Sequence, residues 1–177
     1  MSSPQHPSAS APAVRATGPA PTIGVRRSSR GLGLPLVVIM GLAALAVPRI
    51  IAHDLGLVDP GSLANTALAV LPLVVWVVVA MLWSRRPLLS LFVAGGLLGV
   101  ALALIHNLSW GAVFGDDPPS LGGALQGVLA PGLEEAVLRG AGTISSLVTG
   151  LATGVVCGLI AWGLQALVRA SGGRLPV

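Results

Sequence analysis

Residues 144–168 read ISSLVTGLATGVVCGLIAWGLQALV, a stretch without one charged side chain. An α-helix needs roughly 20 apolar residues to cross the hydrocarbon layer of a bilayer. This stretch is long enough, and it reads as a transmembrane helix. Three more runs of the same kind precede it: 33–52 (GLPLVVIMGLAALAVPRIIA), 65–83 (NTALAVLPLVVWVVVAMLW) and 88–108 (LLSLFVAGGLLGVALALIHNL). Pro48 and Pro72 fall inside spans, where neighbouring helices can satisfy the carbonyls that a proline frees. The expected fold is therefore all-α: a polytopic membrane protein of four transmembrane helices, occupying residues 31–170.

Composition agrees with this reading. Hydrophobic residues make up 54% of the 177, charged residues only 9%, and the mean hydropathy is +0.88. All ten basic residues are Arg. They sit at segment ends, in no patch suited to nucleic acid, so no nucleic-acid partner is expected. Cys157 is the single cysteine, which excludes a disulfide framework and a thiolate metal site. No cofactor is predicted.

The charges set an expected orientation. Residues 1–30 are rich in Ser, Pro and Ala, with Arg15, Arg26, Arg27 and Arg30 and no acid. Such a segment buries too little apolar surface to offset its ordering entropy, and reads as a disordered tail. With that tail in the cytoplasm, Arg85, Arg86, Arg169 and Arg174 join its four arginines there, leaving only Arg49 and Arg139 outside. The excess of arginine marks the cytoplasmic side. All six acids, Asp54, Asp59, Asp116, Asp117, Glu134 and Glu135, then face outward. The expectation is a bacterial plasma-membrane protein with both termini cytoplasmic, including a short end at 171–177. The sequence Ala44-Leu45-Ala46 after a basic segment keeps open a cleavable export signal in the first span. Trp83 and Trp110 stand at span ends, where indoles favour the interface; Trp76 and Trp162 lie deeper and read as packing residues.

Within 144–168, Ser146, Gly150, Gly154 and Gly158 recur every four residues, a smooth stripe along one helix face. Gly95, Gly99 and Ala103 form a matching stripe in the third span. Small residues at this spacing let helix backbones approach closely. The two spans are expected to pack on each other, with self-association or a partner membrane helix as the alternative use.

The long connection 109–143 carries the remaining chemistry. It is expected to form one or two short interfacial helices, around 120–130 and 131–140. Its stretch PGLEEAVLRG, 131–140, gathers Glu134, Glu135 and Arg139. Pro131 suits a first helical turn, the glutamates lie near the positive end of the helix dipole, Glu135 precedes Arg139 by four residues, and Gly140 can end the helix. Every residue thus has a structural role. The same Glu-Glu-x-x-x-Arg pattern resembles the first motif of the CAAX-type intramembrane proteases, which implies a glutamate that activates water for peptide hydrolysis. That family's histidines lie downstream of the motif, whereas His53 and His106 both precede Arg139. More broadly, PRIIAHDLGLV (48–58), IHNLSWGAVFG (105–115) and SSLVTGLATGVVCGLIAWGL (145–164) resemble small four-helix membrane proteins of actinobacteria. This implies a fold and a membrane location but no catalytic residues.

Two functional expectations follow. One is a structural, assembly or accessory membrane protein, not an enzyme, acting through its helix stripes and outer loop. The other is a small outer-face site for a metal ion or protons, with His53, His106, Glu134 and Glu135 as candidate ligands, since imidazole and carboxylate together suit Zn²⁺ or Mn²⁺.

Overall fold

The computed structural model describes residues 31–177. The expected disordered tail, with Arg26, Arg27 and Arg30, lies outside the described residues. Within them the chain forms α1 (Leu36–Leu45), α2 (Val47–Asp54), α3 (Leu63–Trp83), α4 (Pro87–Phe114) and α5 (Pro131–Ala170). A 3₁₀ turn at Gly123–Leu125 lies between α4 and α5, and no strand forms among the described residues. Helices α1 and α2 together make the first span, so four segments are long and apolar enough to cross a membrane. The protein is an all-α, multi-pass membrane protein.

Three boundaries differ from the sequence reading, each for a physical reason. The first span is broken at Ala46, because Pro48 has no N–H for the ladder and fixes its own φ. The Ala46 N–H bonds to the Ala43 carbonyl rather than to Leu42, and the Leu42 carbonyl instead accepts the Trp76 indole N–H at 2.6 Å. Trp76 is fully buried there, and its bond repairs the break. Second, Gly140 does not end a helix: α5 runs unbroken for 40 residues through Gly140 and Gly142. A helical glycine costs only about 1 kcal/mol relative to alanine, and the established turns on both sides outweigh it. Third, α4 continues to Phe114. The connection between the third and fourth spans is thereby reduced from 109–143 to 115–130, and 131–140 becomes the opening of the fourth spanning helix instead of a separate surface helix.

Helices α4 and α5 run antiparallel and meet along the two small-residue stripes. A β-carbon on Gly95 would lie 2.8 Å from Gly154 Cα, one on Gly99 2.9 Å from Leu147 Cα, and one on Gly158 2.9 Å from Leu88 Cα. Ala103 and Ser146 are buried farther along the same seam. Both glycine stripes are therefore consumed within the chain. Helices α1 and α3 close the bundle around Ile39, Leu42, Trp76, Ala80, Leu91, Ala94, Cys157 and Ala161. Trp162, read from sequence as a packing residue, is instead 57% exposed, because the glycine face of α5 turns inward and carries its neighbour Ala161 into the core.

The two ends of the bundle are chemically opposite. At one end the α3–α4 corner is tied by Ser84 and Ser90, whose hydroxyls lie 2.7 Å apart, and Ser90 donates to the Leu32 carbonyl at 2.6 Å. Gly33 passes this corner at φ +87°, and a β-carbon there would lie 2.6 Å from Ser84 Oγ, so both conformation and space require glycine. Gln165 of α5, 1% exposed, donates to the carbonyls of Met81 at 2.8 Å and Ser84 at 2.9 Å. It caps the last turn of α3 from outside that helix. Arg85, Arg86 and Arg169 surround this end, and the six acids lie at the other.

Candidate functional site at the acidic end

Asp54 is the last residue of α2. A carboxylate there faces the negative end of the helix dipole, the unfavourable end. Its side chain is nevertheless only 5% exposed. One oxygen, Oδ1, lies 3.4 Å from His53 Nδ1 and 3.5 Å from His106 Nε2. The other, Oδ2, is buried with no hydrogen-bond partner among the described residues.

His106 is fixed by its own helix. Its Nδ1 lies 3.0 Å from the Leu102 carbonyl, an oxygen that only accepts, so Nδ1 carries the hydrogen. On a neutral ring Nε2 is then a lone pair, and it faces the Asp54 carboxylate across 3.5 Å. Two lone pairs repel. The arrangement becomes attractive when positive charge stands on or beside Nε2. Both histidines are about half exposed, His53 at 50% and His106 at 46% of the side chain, so a small ion can reach them.

These groups line one wall of an open cavity of about 520 Å³ between the end of α2, α4 and the acidic-end half of α5. Leu102, Trp110, Val113 and Phe114 supply its apolar surface; Asn107, Ser145, Ser146 and Thr149 add polar groups. Arg139 stands opposite, and Arg49 lies one turn back on α2 beside a smaller cavity that shares Leu102 and Thr149 with the first. No ion pair joins either arginine to Asp54 among the described residues.

The PGLEEAVLRG stretch forms the far rim. Pro131 opens α5. Glu134 accepts the Leu121 backbone N–H and so pins the connecting loop. Glu135 Oε1 receives Arg139 Nε at 2.8 Å and Nη2 at 2.7 Å. Arg139 also donates Nη1 to the Asn107 carbonyl at 3.1 Å and stacks its guanidinium 4.8 Å from the Trp110 ring centre. Asn107 in turn donates to Thr143 at 3.0 Å. The cluster is a clamp between α4 and α5. Glu135→Gln, which keeps shape and polarity on a partly exposed pair, is expected to lower stability by at most about 0.5 kcal/mol in reversible detergent unfolding.

Of the four candidate ligands, His53 and His106 come together, but on Asp54. Glu134 and Glu135 are engaged elsewhere, on Leu121 and Arg139, so His106 meets neither glutamate. The hydrolase-like pattern likewise finds no histidine beside its glutamates. Asp54 was legible as a candidate in one respect only: it is a carboxylate next to a histidine at the wrong end of a helix. Among the described residues, no group of three or more His, Cys, Asp or Glu side chains is placed to hold a metal ion as it stands. Comparison with family models, with curated proteins and with solved structures finds no match to this chain.

Proposed function

We infer that the chain is a bacterial plasma-membrane protein, its basic end cytoplasmic, that handles a small cation at its outer, acidic end. The observation that carries this reading is the nearly buried Asp54 carboxylate, with one oxygen facing two imidazole nitrogens and the other without a partner. A buried carboxylate oxygen without a partner is costly, and a cation at this position reduces that cost. The donor set of two imidazoles and a carboxylate suits Zn²⁺ or Mn²⁺. The 3.4 and 3.5 Å separations are close to the roughly 3.4 Å edge of a tetrahedron with zinc-like bond lengths. The Leu102 carbonyl behind His106 is the kind of partner that orients a ligating imidazole. The orientation rests on the arginine distribution. The accessory-protein reading has less support, because the stripes that would dock a partner helix are already buried between α4 and α5.

Thermal unfolding of the purified protein in detergent, with EDTA and with added Zn²⁺ or Mn²⁺, tests the site. A cation that binds only the folded state stabilises it by about 2.7 kcal/mol at a hundred times its Kd. Tm is expected to rise with one of the ions in the wild type, and neither in Asp54→Asn nor in His106→Gln. No rise with either ion, or an equal rise in Asp54→Asn, would sink the reading.

A further inference from the structure

The basic end holds a second cavity, of about 400 Å³, whose wall includes Arg85, Arg86, Trp162 and Arg169 together with Leu88 and Leu89. No ion pair reaches its three arginines among the described residues. Every Asp and Glu side chain of the protein belongs to residues 54–135, and the described ones all lie at the opposite end of the bundle. The polar contacts the three arginines do make are with neutral groups. Arg86 donates Nη1 to the Gly31 carbonyl at 3.3 Å, and Arg169 donates Nη2 to Gln165 Oε1 at 3.2 Å. Arg85 has no side-chain hydrogen bond among the described residues. Because Gln165 is itself held by the last turn of α3, the bond to it orients Arg169 toward the cavity mouth. The same wall includes the first turn of α4, which begins with Pro87; the N–H groups of Leu88 and Leu89 follow it, in the part of a helix that favours anions.

The apolar part of the wall lies on the membrane side of the arginines. Trp162 precedes Arg169 by seven residues, about 10 Å along the axis of α5, and is exposed, as are Leu88 and Leu89. Three guanidinium groups at the mouth and an open indole and leucines below them match one class of molecule, an anionic head attached to a hydrocarbon tail. We propose that this cavity binds the phosphodiester headgroup of an anionic phospholipid, with an acyl chain lying along Trp162 and Leu88. Basic pockets between spanning helices are suited to such headgroups. A free phosphate ion would engage the arginines but would leave the indole and leucine surface without a role.

The test uses the full-length protein in detergent, supplemented with phosphatidylglycerol, phosphatidylcholine or inorganic phosphate, with retained lipid measured by native mass spectrometry and Tm measured in parallel. Phosphatidylglycerol is expected to be retained in preference to phosphatidylcholine and to raise Tm, and inorganic phosphate to do neither. The double variant Arg85→Gln/Arg169→Gln is expected to weaken phosphatidylglycerol retention roughly thirtyfold, from about a factor of five for each arginine at an anionic surface. Arg174→Gln, outside the cavity, controls for loss of net charge and should retain the lipid as the wild type does. Equal retention of the two lipids, or unchanged retention in the double variant, overturns the site. Equal loss in Arg174→Gln reduces it to general charge attraction and also overturns it. Stabilisation by inorganic phosphate equal to that by phosphatidylglycerol would assign the cavity to the free anion and overturn the lipid.

Discussion

Gly150→Val is expected to destabilise the bundle by about 3 kcal/mol or more, the upper part of the range for overpacking. Most overpacked side chains find relief because a neighbouring side chain rotates. Here the added β-carbon would meet backbone, with Gly99 Cα at 2.5 Å and the Gly99 nitrogen and Gly95 carbonyl nearer still. Backbone cannot change rotamer, so α4 and α5 must separate and lose contact along the seam. Gly140→Ala is the matched control. A β-carbon there meets nothing within 4 Å, and alanine is the better helix former by about 1 kcal/mol. Reversible unfolding in mixed micelles, followed by tryptophan fluorescence, should show a fall for Gly150→Val and no fall for Gly140→Ala. Similar losses in both would mean that the seam does not set the cost of Gly150→Val.

Gln165→Leu is expected to cost about 2 kcal/mol, although it places an apolar side chain in an apolar membrane span. The Ala80 carbonyl keeps its bond from the Ser84 N–H at 3.1 Å, but the Met81 and Ser84 carbonyls lose the amide that reaches them from α5. A buried acceptor left without a partner costs about 1–3 kcal/mol, while polar bonds between membrane helices are worth up to about 1.7 kcal/mol each. Arg169 also loses its acceptor, the Gln165 oxygen. Gln165→Glu, which keeps an oxygen for Arg169 but removes the amide donor, separates the two contributions. If the α3 carbonyls dominate, both variants unfold early; if Arg169 dominates, only Gln165→Leu does.

Much of the architecture was legible from residue chemistry alone, because crossing a bilayer makes demands that composition can answer. Residues 144–168 and the three other apolar runs had to be spans, and the four-residue recurrence of glycine marks where α4 and α5 approach. Gly140 was misleading. Glycine ends many helices, but a single unfavourable residue of about 1 kcal/mol does not stop a helix held on both sides. The site at the acidic end was hidden for a different reason. His106 and Asp54 are far apart in sequence, and the bond from His106 to Leu102 that fixes its tautomer is visible only once the helix is built. Glu134 and Glu135 drew attention as the densest charges in the chain. Their partners, the Leu121 N–H and Arg139, show that density marks a clamp here, while the candidate site centres on the lone, nearly buried Asp54 carboxylate. The Trp76 bond to Leu42 was likewise out of reach, since it answers a break whose position depends on Pro48.

The unbroken course of α5 has a mechanical consequence. Forty residues of α-helix extend about 60 Å, twice the roughly 30 Å hydrocarbon thickness. One helix therefore carries Arg139 and Thr149 beside the cavity at the acidic end and Arg169 beside the one at the basic end. Between them it is gripped at a backbone-to-backbone contact, Gly150 and Gly154 against Gly95 and Gly99. The cation proposed for the acidic end and the lipid proposed for the basic end would therefore both rest on this one helix, on opposite sides of its tightest contact. Any coupling between them would be reciprocal, each changing the affinity of the other by the same factor.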